Sequence, residues 1–169
     1  MAIIKICVLF GIFGLTVYLG NAKANKYIQR VKELVAIKCA LNILENKIKF
    51  TQTPLNDIFK QISGNISENN IVKIFENLAS KQNVNLHKSW KHTITVSETN
   101  LCEEDKKILI DMGNILGSTD IEGQVSNIKI TNAFIDRQIE KAEAEKNKNV
   151  KMFRTLGVIS GLTIVIILI

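Results

Sequence analysis

Residues 6–19, ICVLFGIFGLTVYL, and residues 156–169, LGVISGLTIVIILI, contain no charged side chain. These two runs decide how the rest of the chain is read. With Lys5 reaching outward to the interface, Ile3–Leu19 supplies about 17 residues, near the lower limit for a helix that crosses hydrocarbon. A helix counted from Met152 rises about 27 Å to the end of the chain, close to the hydrocarbon thickness, with Arg154 at the interface. Two spans this short suit a thin or locally adapted bilayer. The expected organisation is a transmembrane helix at 1–20, a soluble helical domain at 21–152 and a second transmembrane helix at 153–169.

The basic residues orient these spans. Lys23, Lys26, Arg30, Lys32 and Lys38 follow the first, and Lys141, Lys146, Lys148, Lys151 and Arg154 precede the second; Lys5 alone lies on the other side. The positive-inside rule places the middle of the chain in the cytoplasm and both termini across the membrane. The formal net charge of +6 is then a feature of membrane topology. The bilayer is the partner it implies, and no nucleic acid is expected. Ala22-Lys23-Ala24 offers an alternative, because it resembles an A-x-A cleavage site after an apolar region. Cleavage there leaves an extracytoplasmic binding module anchored by its tail. A secretory signal carries its positive bias before the apolar run, whereas here the bias follows it. Protease protection in intact cells separates the two readings. The three cysteines, Cys7, Cys39 and Cys102, are odd in number and form no CxxC, which fits reduced thiols in a cytosolic domain.

Between the ends, helical spacing dominates. Ile28, Val31, Leu34, Val35, Leu41, Leu44 and Ile48 mark one long amphipathic helix continuing from the first span. Thr53 as N-cap and Pro54 as first helical residue open a second helix with Leu55, Ile58, Phe59 and Ile62 inward. Gly64-Asn65 stops it, and Ser67 caps a third helix with Ile71, Val72, Phe75 and Leu78 inward. After a turn at Asn83–Asn85, a shorter helix runs from Leu86 to Val96 around Trp90. Cys102-Glu103-Glu104-Asp105 opens a fifth helix with acid in its first turn, followed by Ile108, Leu109, Met112, Ile115 and Leu116. Gly117–Asp120 turns and caps a last helix from Ile121 into the second span, with Val125, Ile128, Thr131 or Asn132, Ile135 and Ile139 inward. No strand alternation persists. The fold class is all-α, a bundle of about six helices flanked by two transmembrane helices.

Catalytic constellations are absent from the sequence. It contains no P-loop, dinucleotide fingerprint, nucleophile elbow or HExxH. His87 and His92 share no helix face, so neither metal nor cofactor is expected. Glu103–Asp105 fits a helix dipole, Asp120 a turn or cap, and Glu140–Lys146 a solvated face with i,i+4 pairs. Trp90 reads as a core anchor, with an interface hot spot as the alternative. Gly11 and Gly14 in the first span, and Gly157 and Gly161 in the second, are candidates for close helix packing against the other span or another protein. No enzymatic activity is expected.

Several features occur together in one order. Leu44-Glu45-x-x-Ile48-x-Phe50-Thr51-x-Thr53-Pro54-Leu55 resembles the LE-x-EI-x-YG-x-TPL segment of the stage III sporulation protein AB family. Gly113-x-x-Leu116-Gly117-x-x-Asp120-x-x-x-Gln124 resembles that family's LG-x-x-D-x-x-x-Q signature. Trp90 and the tail Leu156–Ile169 are also placed as in the family. Phe50, Thr51 and Ile121 stand where the family usually has Tyr, Gly and a basic residue. The resemblance implies an endospore-forming bacterium and a protein in the mother-cell membrane facing the forespore. It also implies a place in a channel or secretion-like complex, with a soluble domain similar to those of type II secretion platform proteins. The implied partners are a cytoplasmic secretion-type ATPase and other stage III sporulation membrane proteins. The candidate contact surface joins the Leu116–Gln124 turn, including Gly117 and Asp120, to Thr53, Pro54 and Leu55, with Trp90 beside it.

Overall fold

A computed structural model describes residues 2–51, 53–80 and 85–168. Gln52, the start of the expected turn at Asn83–Asn85, the Lys5 side chain and Ile169 lie outside what is described. Six helices follow one another: α1 (Ala2–Phe50), α2 (Leu55–Asn65), α3 (Asn69–Ser80), α4 (Leu86–Val96), α5 (Glu103–Gly113) and α6 (Ile121–Leu168). Among the described residues there is no strand, as expected from the sequence. The chain divides into two compact units, Met1–Val31 with Ala142–Ile169, and Lys32–Lys141.

In the Lys32–Lys141 unit, α1 contributes Leu34, Ile37, Leu41, Leu44 and Ile48 to the core. These positions alternate in steps of three and four, the spacing of a helical seam. Val35 was expected inward but is 49% exposed. At about 100° per residue it lies on the opposite side of the helix from that seam, and Ile37 occupies the face instead. On α6, Ile128, Thr131, Ile135 and Gln138 are buried with the same alternation. Ile139, expected inward, is only half-buried. Rising numbers on α1 pair with falling numbers on α6. Lys38 Nζ meets Asp136 at 2.5 Å, Asn132 Nδ2 donates to Asn42 Oδ1 at 3.0 Å, and Lys129 lies 3.9 Å from Glu45. The two helices are antiparallel neighbours there. These polar pairs are exposed and fix register more than stability.

The short helices complete this core. Ile58, Phe59 and Ile62 of α2 and Ile71, Ile74, Phe75 and Leu78 of α3 are buried at helical spacing. Phe59, Phe75 and Trp90 form an aromatic triad with ring centroids 5.9–6.3 Å apart, tilted or edge-on rather than sandwiched.

Three helix boundaries differ from expectation. Thr53 does not cap α2; its hydroxyl donates to Thr51 Oγ1 at 2.7 Å. Pro54 is extended (φ −54°, ψ 139°), and its carbonyl accepts from the amides of Asp57 and Ile58, so the helix begins one residue later. At α3 it is the Glu68 carbonyl that accepts from Ile71 and Val72, so the cap position falls one residue after Ser67. Ile115 and Leu116 lie beyond α5. Bonds there tighten to an i→i+3 pattern, Asn114 to Asp111, Ile115 to Met112 and Ser118 to Ile115, which draws the chain into a turn. α5 itself opens as expected from its acid-rich start, with Asp105 Oδ2 accepting from the Cys102 amide at 2.9 Å.

In the other unit, both helices are long and apolar enough to cross a membrane, and only 11% of each apolar stretch is buried within the protein. A core helix of a soluble protein hides most of such a stretch, so the exposed surface calls for an apolar solvent. An ideal Cβ at Gly157 would lie 2.9 Å from the Thr16 carbonyl oxygen and 3.2 Å from Gly20 Cα. One at Gly161 would collide with Thr16 Oγ1 and Phe13. Gly11 and Gly14 have nothing within 4 Å. Tyr27 stacks on Phe153 at 5.9 Å, and Arg30 donates to Glu145 at 2.7 Å.

Candidate functional site

The segment from Gly113 to Gln124 is built almost entirely from its own hydrogen bonds. Leu116 is 2% exposed and anchors the turn in the core. Gly117 follows at φ 76°, in the left-handed region that only glycine enters cheaply. The Gly117 amide donates to Gln124 Oε1 at 3.0 Å, and Gln124 Nε2 donates to the Thr119 carbonyl at 2.9 Å. One side-chain amide thus ties both ends of the loop. Asp120 Oδ1 accepts from the Gly123 amide at 3.1 Å, and its carbonyl accepts from Gln124, which makes it the N-cap of α6. This matches its reading as a cap.

Two further elements meet this turn. A Cβ at Gly117 would touch Leu55 Cδ1 and Leu86 Cδ2, each at 3.5 Å. The start of α2 and the start of α4 therefore both abut the α5–α6 connection. The Thr53–Leu55 and Leu116–Gln124 segments, far apart in sequence, form one surface. Pro54, Gly117, Ser118, Thr119 and Asp120 are exposed on it, while Thr53, Leu55 and Gln124 are half-buried.

Trp90 presents nothing to a partner, since it is 1% exposed. Its Nε1 donates to the Leu109 carbonyl at 2.7 Å, and its ring lies where a Cβ at residue 113 would stand. Gly113 is thus required by close approach to the Trp90 ring. His87 Nδ1 lies 2.7 Å from the Gly113 carbonyl oxygen, closing the same corner.

Sequence reasoning missed one cluster. Glu33 is fully buried and accepts from Asn70 Nδ2 (2.8 Å), the Asn100 amide (2.6 Å) and Asn100 Nδ2 (2.9 Å). It ties α1, α3 and the α4–α5 loop together. The available signal was a carboxyl beside Leu34 in an otherwise apolar arc. A second missed feature is a groove of about 630 Å³ between α5 and α6, lined by Ile108, Met112, Ile115, Ile130 and Phe134. Ile130 and Phe134 are 54% and 46% exposed. At its edge, Lys141 donates to Glu104 at 2.7 Å. That hydrogen bond, with one from Gln138 and the nearby Lys141 charge, lowers the Glu104 carboxyl below its ordinary range. Among the described residues, no group of three or more His, Cys, Asp or Glu side chains gathers as a metal site.

A family profile for stage III sporulation protein AB matches residues 5–169. The chain belongs to the stage III sporulation protein AB family. It is 26% identical over 157 residues to stage III sporulation protein AB of Bacillus subtilis (strain 168), covering 90% of this chain and 92% of that relative. No solved structure matches. Its role is accordingly in sporulation. The Leu116-Gly117-x-x-Asp120-x-x-x-Gln124 signature acquires a physical meaning in this stage III sporulation AB chain: buried anchor, left-handed turn, helix cap and loop tie, in that order.

Proposed function

We propose that this protein is a non-enzymatic, membrane-anchored platform of a secretion-like sporulation complex. It sits in the mother-cell membrane facing the forespore, with residues 21–152 in the cytoplasm and both termini on the far side. There it binds a secretion-type ATPase and other stage III membrane proteins. The observation that carries this reading is the rigid turn surface. Asp120, Gln124 and Gly117 are consumed in holding the turn, so its exposed edge is shaped in advance and presented by a packed bundle. The cytoplasmic assignment draws on the basic residues flanking both apolar helices. The uncleaved reading draws on the positive bias that follows the first apolar run instead of preceding it.

The test must spare the residues that shape the turn. Pro54→Ser combined with Thr119→Lys changes an exposed side chain in each of the two segments without removing a side-chain hydrogen bond; serine is also well suited to the N-cap position that Pro54 holds. Spore yield is expected to fall sharply while the thermal melt of the purified protein stays unchanged. Normal spore yield from this double variant would refute the surface assignment.

A further inference from the structure

The unit formed by Met1–Val31 and Ala142–Ile169 contains a groove of about 530 Å³ between α1 and α6. Lys146, Lys151 and Arg154 line it on the α6 side, Thr155 adds a hydroxyl, and Ile28 and Val150 supply apolar wall. No carboxylate lines it. The acid on α6 beside it, Glu145, is already engaged by Arg30 at 2.7 Å. Three cations thus share one concave site. The uncharged run of α6 begins at Leu156, directly after them. The groove therefore lies at the level where a bilayer's headgroups meet its hydrocarbon. The α1–α6 packing beside it is tight, through the Tyr27–Phe153 stack and the approach of Gly20 to the Phe153 carbonyl.

We infer that this groove binds the phosphate-bearing headgroup of an anionic glycerophospholipid. Basic pockets between helices at a membrane surface attract such headgroups, and each Lys or Arg near the surface strengthens the attraction. The apolar wall at Ile28 and Val150 matches the glycerol backbone and upper acyl carbons. The site depends on the two apolar helices entering a bilayer and not on the platform role, so either can fail without the other.

The test uses the full-length protein in a neutral detergent, titrated with lipid and read by native mass spectrometry. Cardiolipin and phosphatidylglycerol are both expected to bind far more tightly than phosphatidylcholine. Replacing Lys146, Lys151 and Arg154 together by Gln should weaken cardiolipin binding about a hundredfold, near fivefold for each charge. Replacing Lys73, Lys88 and Lys91 by Gln removes the same charge from exposed positions on α3 and α4 and should change nothing. Lys146→Arg, Lys151→Arg and Arg154→Lys together should retain binding, which separates lost charge from lost structure. Equal binding by the wild-type protein and the Gln triple variant would overturn the site, as would equal losses in the two Gln variants. Inorganic pyrophosphate binding as tightly as lipid would overturn the lipid assignment in favour of a soluble ligand. Equal affinity for phosphatidylglycerol and phosphatidylcholine would overturn the anionic-headgroup assignment.

Discussion

Gly117 and Glu33 carry opposite lessons at the scale of single residues. At φ 76°, an alanine in place of Gly117 must enter the left-handed region, at about 1–2 kcal/mol. Gly117→Ala should lower unfolding free energy by that amount in chemical denaturation, whereas Gly64→Ala, with nothing within 4 Å, should not destabilise. Glu33→Ala strips the acceptor from the Asn100 amide, Asn100 Nδ2 and Asn70 Nδ2. A loss of about 3 kcal/mol is expected, because buried donors are left unpaired. Gly117 was readable beforehand, since glycine before a capping Asp is a local turn signal. Glu33 was not, because its partners lie on α3 and in the loop after α4, and no local rule brings them together. Trp90 stood between these cases. Its burial was foreseeable, but the bare backbone at Gly113 that makes room for its ring is a tertiary fact.

The helices were readable in number and type, and less so in their ends. Apolar positions at helical spacing marked five of them, and the fourth was placed around Trp90. The misplaced starts of α2 and α3 reflect a competition that sequence does not settle: Thr53 has another hydroxyl, Thr51, within reach, and it takes that bond instead of capping. The face of α1 was mistaken at Val35 because α1 carries apolar residues on opposite sides there, and only the packing of the fold decides which side is buried. For the two long apolar helices, small residues were visible but not which of them pack. Gly157 lies against Thr16 and Gly20, while Gly11 faces open space. Gly157→Leu is therefore expected to reduce thermal stability in detergent by the equivalent of about 1–3 kcal/mol, as an overpacked contact does. Gly11→Leu should leave the melt unchanged. Similar losses from both would mean that the two helices do not meet through Gly157.

At the scale of the molecule, the account joins two apolar helices to a bundle whose exposed turn is held by its own side chains. Family membership places that arrangement in sporulation, and the basic flanks support the proposed orientation. The candidate surface was partly readable, since the order of the Thr53–Leu55 and Leu116–Gln124 segments was visible in the sequence. Their meeting through Leu55 and Gly117 required the fold. The central claim is that this surface receives a cytoplasmic ATPase. A photo-crosslinking amino acid at the exposed position Thr119, activated in sporulating cells and followed by identification of the adducts, tests it directly. The expected adduct joins this protein to a secretion-type ATPase, and a probe at Val96, on α4, should yield none. Adducts from Thr119 only to extracytoplasmic proteins, or equal ATPase adducts from both positions, would contradict the account.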